Sequence, residues 1–123
     1  MARVTGFGGV FFRCEDPDAT SAWYRQHLGL EPEVGHPSVT FRATGGETSV
    51  WGPFPADTDY FGAADQAFMI NLRVDDLDGM LGALRAAGVT VDDQLEDGEY
   101  GRFGWFIDCD GRRIELWQPP DGQ

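Results

Sequence analysis

The residues of this sequence with the most capacity for chemistry are one carboxylate and the indole rings around it. Glu115 sits in the run Arg113-Ile114-Glu115-Leu116-Trp117, and alternation along a strand turns Arg113, Glu115 and Trp117 to one face, with Ile114 and Leu116 on the other. If Cys109-Asp110-Gly111 closes a three-residue hairpin, Trp105 lies opposite Glu115 and shares its face. Such a glutamate is either a general base or an ordinary carboxylate paired with Arg13, Arg73 or Arg113. Burial raises the pKa of a carboxylate and a neighbouring arginine lowers it, and the sequence leaves both open. Arg13 and Arg73 themselves either clamp a carboxylate on a ligand or pair with nearby acids such as Glu15 and Asp75.

The same alternation gathers further side chains onto the Glu115 face: Gly9, Phe11 and Arg13 from one strand, Met69, Asn71 and Arg73 from another. Matching Ser49-Val50-Trp51-Gly52-Pro53 to Glu115-Leu116-Trp117-Gln118-Pro119 adds Ser49 and Trp51. Phe11, Trp51, Trp105 and Trp117 then form flat surfaces that either stack on a planar ligand or fill the core. The two histidines stand apart, His27 near the end of a helix and His36 in a Gly/Pro-flanked loop, and neither has a partner at ligand spacing. Cys14 and Cys109 show no Cys-x-x-Cys spacing and read as free thiols. The acidic stretch from Asp92 to Gly101 reads as a mobile rim loop, either solvated or lying over the mouth of the site.

The elements that must position these residues occur twice. GGVFFRCEDPDATSAWYRQHLGL from Gly8 and FMINLRVDDLDGMLGALRAAGV from Phe68 align at an offset of 60. Each is a strand running through an acidic doublet into a helix, with Asp16 or Asp76 as N-cap and Gly29 or Gly88 as the left-handed stop; Pro17 suits the first helical position. Short strands follow each helix, so each half reads as one strand, one helix and roughly three strands. The expected organisation is a single domain over residues 1–123, with a first unit at about 5–53, a linker at about 54–66 and a second unit at about 67–120.

Composition narrows the class. The net charge is −12 and all nine basic side chains are arginine, so phosphate backbones and anionic membrane surfaces would be repelled. No apolar run approaches the roughly 20 residues of a membrane span, and Met1 to Gly6 lacks a signal-peptide core. The expectation is a cytoplasmic protein with a small-molecule partner, no nucleic acid and no membrane.

FFRCEDPDATSAWYRQHLGL followed by FIDCDGRRIELWQP resembles the glyoxalase/bleomycin-resistance/extradiol-dioxygenase (vicinal oxygen chelate) superfamily over nearly the whole chain. The resemblance implies an α+β fold in which two βαβββ modules form a curved, mixed, half-open cup, with helices outside and the ligand inside, often completed by a homodimer. In metal-using members of this family, ligands come from the first and last strands of each unit, and here those places read Gly9, Ser49, Met69 and Glu115. One carboxylate, a hydroxyl and a thioether make a poor set for a hard divalent ion, so neither a metal nor another cofactor is expected. The resemblance leaves three readings: a metal-independent binder of an aromatic or cationic compound, like the bleomycin-resistance branch; a glyoxalase-like lyase or isomerase acting on a small carbonyl compound with Glu115 as base; and a dimeric module whose cup its own side chains fill.

Overall fold

The structure is a computed structural model and describes residues 2–123. Its elements are β1 (Val4–Cys14), α1 (Pro17–Leu28), β2 (Val39–Arg42), β3 (Thr48–Pro55), β4 (Phe68–Val74), α2 (Leu77–Ala86), β5 (Glu96–Gly98), β6 (Gly101–Ile107) and β7 (Arg113–Gln118). Both helices begin as their sequences dictate. The Asp16 carboxylate accepts from the Ala19 N–H at 3.2 Å and Asp76 from Gly79 at 3.1 Å, which satisfies an otherwise orphaned donor in each first turn. Gly29 and Gly88, at φ 71° and 82°, supply the left-handed exits.

The seven strands make one curved, mixed sheet in the order β2-β3-β1-β4-β7-β6-β5. β1 runs parallel to β3 and β4 parallel to β7, while β1 and β4 meet antiparallel at the centre. There Val10 lies opposite Ile70, 60 positions on, so a local two-fold through that pair relates the repeated segments. α1 packs on β3, and α2 packs on β6 and β7, over a core of Val74, Leu77, Leu81 and Leu116. Both helices therefore cover the convex face, and the second apolar cluster, built on Phe61, Met69 and Trp105, sits on the concave one.

Two elements differ from the sequence reading. After α1 only two strands form, because residues 29–38 run through turns that give no period-two pattern to pair. The acidic stretch, expected as a mobile loop, instead contributes β5, antiparallel to β6. Arg102 on β6 offsets its charge, 3.5 Å from Asp97 and 2.9 Å from Asp78 on α2. A short, acidic edge strand is also a poor template for pairing with another chain.

Residues 56–66 cross the concave face as a strap, which Arg13 holds. Its guanidinium donates to the carbonyls of Gln66 at 2.9 Å, Ala56 at 3.0 Å, Thr58 at 2.5 Å and Ala63 at 3.2 Å, and lies 5.1 Å from the Phe61 ring centre. The Gln66 side chain fastens the far end, accepting from the Arg113 N–H at 2.8 Å and donating to the Arg113 carbonyl at 2.9 Å. Among the described residues no helix is long and apolar enough to cross a membrane.

Candidate functional site

Register brings Glu115 to the middle of the concave face. It lies beside Asn71 across the parallel β4–β7 pair and opposite Trp105 across the antiparallel β6–β7 pair, as the three-residue loop at 109–111 requires. Its side chain is 1% exposed. Oε1 accepts from Asn71 Nδ2 at 2.6 Å, and Oε2 accepts from both Tyr60 Oη at 2.5 Å and Trp105 Nε1 at 3.0 Å. All three donors are neutral groups. Burial raises the Glu115 pKa above the usual carboxylate range, and the hydrogen bonds from Tyr60, Asn71 and Trp105 only partly oppose it. Burial and the Glu115 charge also push the Tyr60 hydroxyl far upward, so it stays a protonated donor.

None of the three arginines pairs with Glu115. Arg113 donates to Asp92 at 2.9 Å and to the Tyr60 carbonyl at 3.1 Å, with its guanidinium 5.1 Å over Trp105. Arg73 donates to the Thr48 carbonyl at 2.6 Å and to that of Gln123, 4.9 Å over Trp117. Arg13, expected as a carboxylate clamp or as a partner of Glu15 or Asp75, turns its donors to four carbonyls of the strap, two of them part-buried against the sheet.

Phe11, Met69, Asn71, Arg73, Trp105, Arg113 and Trp117 share the concave face with Glu115, whereas Ser49 and Trp51 do not. Trp51 faces α1, its ring 4.7 Å from that of Tyr24 and 5.2 Å from Phe12, and Ser49 has the same parity. The register explains the error. Phe11 lies beside Gly52 as Asn71 lies beside Glu115, and Phe11 and Asn71 are 60 positions apart, so the partner of Glu115 in the first repeat is Gly52. Aligning Ser49 there slipped the strand by three positions, an odd number, which exchanges the two faces. A comparable slip affects Gly9. A bulge between Phe7 and Gly9 turns Gly8 toward Asn71, and a Cβ on Gly9 would instead meet the Val50 backbone oxygen at 2.1 Å.

These placements decide whether the metal implied by the family would fit. Of the positions that would have to supply further ligands, Gly9 and Gly52 carry no side chain and Met69 offers only a thioether, and the Glu115 oxygens already accept three hydrogen bonds. Among the described residues no three His, Cys, Asp or Glu side chains come together to hold an ion. The donor set does not suit a divalent metal.

Gly8 matters for a different reason. A Cβ there would sit 1.8 Å from Asn71 Oδ1 and 3.2 Å from the Trp117 ring, so the missing side chain makes room for the carboxamide that holds Glu115. Gly8→Ala is expected to push Asn71 off Glu115 and lower stability by about 1–3 kcal/mol in urea unfolding, since a buried acceptor and donor lose each other. An unchanged midpoint would show that Asn71 can rearrange freely.

The sequence reading missed Tyr60, Phe61 and Phe54. Phe61 is 0% exposed against Met69 and Trp105, and Tyr60 stacks on Phe54 with ring centres 5.3 Å apart and planes at 11°. Their sign was an adjacent aromatic pair in an otherwise Pro-, Gly- and Asp-rich linker. His27 packs 4.6 Å from Trp23 on the outer surface, and His36 lines an outer cavity of about 470 Å³ beside α1 with Arg25 and Gln26. A second cavity, about 410 Å³, lies near Phe68, Ile70 and Arg112; neither reaches Glu115. Cys14 and Cys109 are both free.

Comparison with known proteins agrees with this architecture. Methylmalonyl-CoA epimerase of Streptomyces coelicolor, solved with 2-nitronate-propionyl-CoA, superposes with a TM-score of 0.75 at 22% identity, over 95% of this chain and 99% of that one. The methylmalonyl-CoA epimerase of Mycobacterium tuberculosis gives a TM-score of 0.65 at 26% identity, over 95% and 89% of the two chains. The Mn(II)-bound glyoxalase of Novosphingobium aromaticivorans gives 0.67 at 25% identity, over 96% of this chain and 40% of that longer one. No curated protein sequence matches. The sequence pattern of the glyoxalase/bleomycin resistance protein/dioxygenase superfamily matches residues 6–116, nearly the whole of the paired sheet, and the chain belongs to that superfamily.

Proposed function

We propose that this protein binds a small, planar organic molecule on the concave face and does so without a metal ion. The observation that carries this reading is the state of Glu115: a buried carboxylate whose oxygens take hydrogen bonds from three neutral groups, walled by Trp105, Phe54, Phe11 and Met69. Three hydrogen bonds hold such a group in one orientation and leave it a lone pair for a ligand donor but too few for a chelated ion. The net charge favours a neutral or cationic ligand over an anion.

Trp105 and Trp117 are both buried on this face, so occupancy changes their emission. Titration with a panel of neutral and cationic planar aromatics is expected to quench tryptophan fluorescence in the micromolar to millimolar range. Flat titrations across the panel would sink the reading.

A second reading has its own support. Burial that raises the Glu115 pKa makes this carboxylate a stronger proton acceptor, and the likeness to two methylmalonyl-CoA epimerases and a glyoxalase favours proton abstraction beside a carbonyl. Incubation with methylmalonyl-CoA in deuterated water tests it. Deuterium incorporation that Glu115→Gln abolishes would favour this enzyme reading over the binder.

A further inference from the structure

The concave face already holds a ring, and that ring belongs to the protein. Tyr60 lies in a slot between Phe54, stacked at 5.3 Å, and Trp105, edge-on at 5.9 Å and 85°, with its hydroxyl directed at Glu115. Three observations bear on what else the slot accepts. Its width is that of one six-membered ring between two aromatic walls. Its polar end is the acceptor Glu115 Oε2, which Tyr60 Oη shares with Trp105 Nε1; Asn71 Oδ1, buried and without a hydrogen-bond partner, lies on the Gly8 side. A ligand ending in a ketone, ether or carboxylate would set acceptor against acceptor, so the ligand must bring a donor.

The third observation is that the donors to Glu115 are unequal. Asn71 and Trp105 stand on paired strands and are 2% and 1% exposed. Tyr60 stands on the strap and is only part-buried. The Tyr60 backbone is fixed independently of its side chain: Arg113 Nε donates to its carbonyl, and Arg13 grips Thr58 before it and Ala63 after it. Rotation about the Tyr60 side-chain bonds can therefore vacate the slot while Phe61 stays seated.

We infer that the Tyr60 side chain occupies a binding site for a free hydroxyaromatic compound, whose phenolic hydroxyl replaces that of Tyr60 on Glu115. The inference rests on the reading of the concave face as a small-molecule site and names the ligand class. Exchange conserves the hydrogen bond to Glu115 and the ring-on-ring contact with Phe54, so Tyr60 acts as a tethered competitor that lowers the apparent affinity of the wild-type protein.

The test uses 4-methylphenol and toluene, which share a ring and a methyl group and differ in the hydroxyl. Each is titrated into the wild-type protein, Tyr60→Ala and Tyr60→Phe, with tryptophan emission and calorimetry as readouts and circular dichroism as the check on folding. 4-Methylphenol is expected to bind Tyr60→Ala at least tenfold more tightly than wild type, and at least tenfold more tightly than toluene. Tyr60→Phe keeps the ring but not the competing hydrogen bond, and should fall between. Equal affinities for toluene and 4-methylphenol would overturn the hydroxyl preference while leaving planar binding intact. Planar compounds that bind with no response to either Tyr60 variant would overturn the site but not the proposed function. No binding by any compound would overturn both.

Discussion

Phe61→Ala is expected to lower the stability of this protein by about 3–5 kcal/mol, the cost of emptying a fully buried aromatic site. The ring is 0% exposed and fills the hollow between Met69, Trp105 and Phe54, with the Arg13 guanidinium over its face. Removing it takes away transfer free energy and leaves a cavity that the strap cannot close, because Arg13 fixes the strap backbone at four carbonyls. Guanidinium denaturation followed by tryptophan emission measures the loss. A change below about 1 kcal/mol would mean that the strap is not seated on the concave face as described.

Substitution of Glu115 should give opposite results according to what replaces it. Glu115→Ala strands the Asn71 and Trp105 donors in a dry site at about 1–3 kcal/mol each, and Tyr60, part-buried, recovers some solvent. Glu115→Gln keeps the shape and removes the charge whose desolvation is the largest influence on this group. Because the folded pKa is raised above the ordinary 4.5, the Glu115 contribution to stability is complete below that value and is lost as pH rises through the folded pKa. Glu115→Gln should therefore gain on wild type as pH climbs from 4.5 through the raised folded pKa of Glu115, at no more than about 1.4 kcal/mol per pH unit. Parallel pH profiles for the two proteins would show that Glu115 ionises normally.

The sequence made the repeat legible because its signals are local. An acidic cap, a glycine stop and an alternating strand recur at an offset of 60, and the Val10–Ile70 pair shows why: each repeat contributes one of the two central strands. Asn71, Trp105, Glu115 and Trp117 could be placed for the same reason, since a single hairpin of fixed loop length and simple alternation determine their face. Trp51 and Ser49 could not, because their face depended on matching Trp-x-Pro patterns between repeats whose connecting loops differ in length. The role of Arg13 lay further out of reach. Its partners are backbone carbonyls of a segment 43 to 53 residues away, and carbonyls leave no mark in a sequence. Tyr60 and Phe61 were hidden by their surroundings, two aromatic residues in a composition that otherwise reads as solvated turn.

The central seam between β1 and β4 bears on how the chain reaches this state. The partners along it are separated by more than fifty residues, and until they meet, each carries a long apolar strand with a bare edge. Closure of so large a loop is slow relative to the helices beside it. The interval before the seam closes is thus the time at which the nascent chain is most prone to pair with its neighbours.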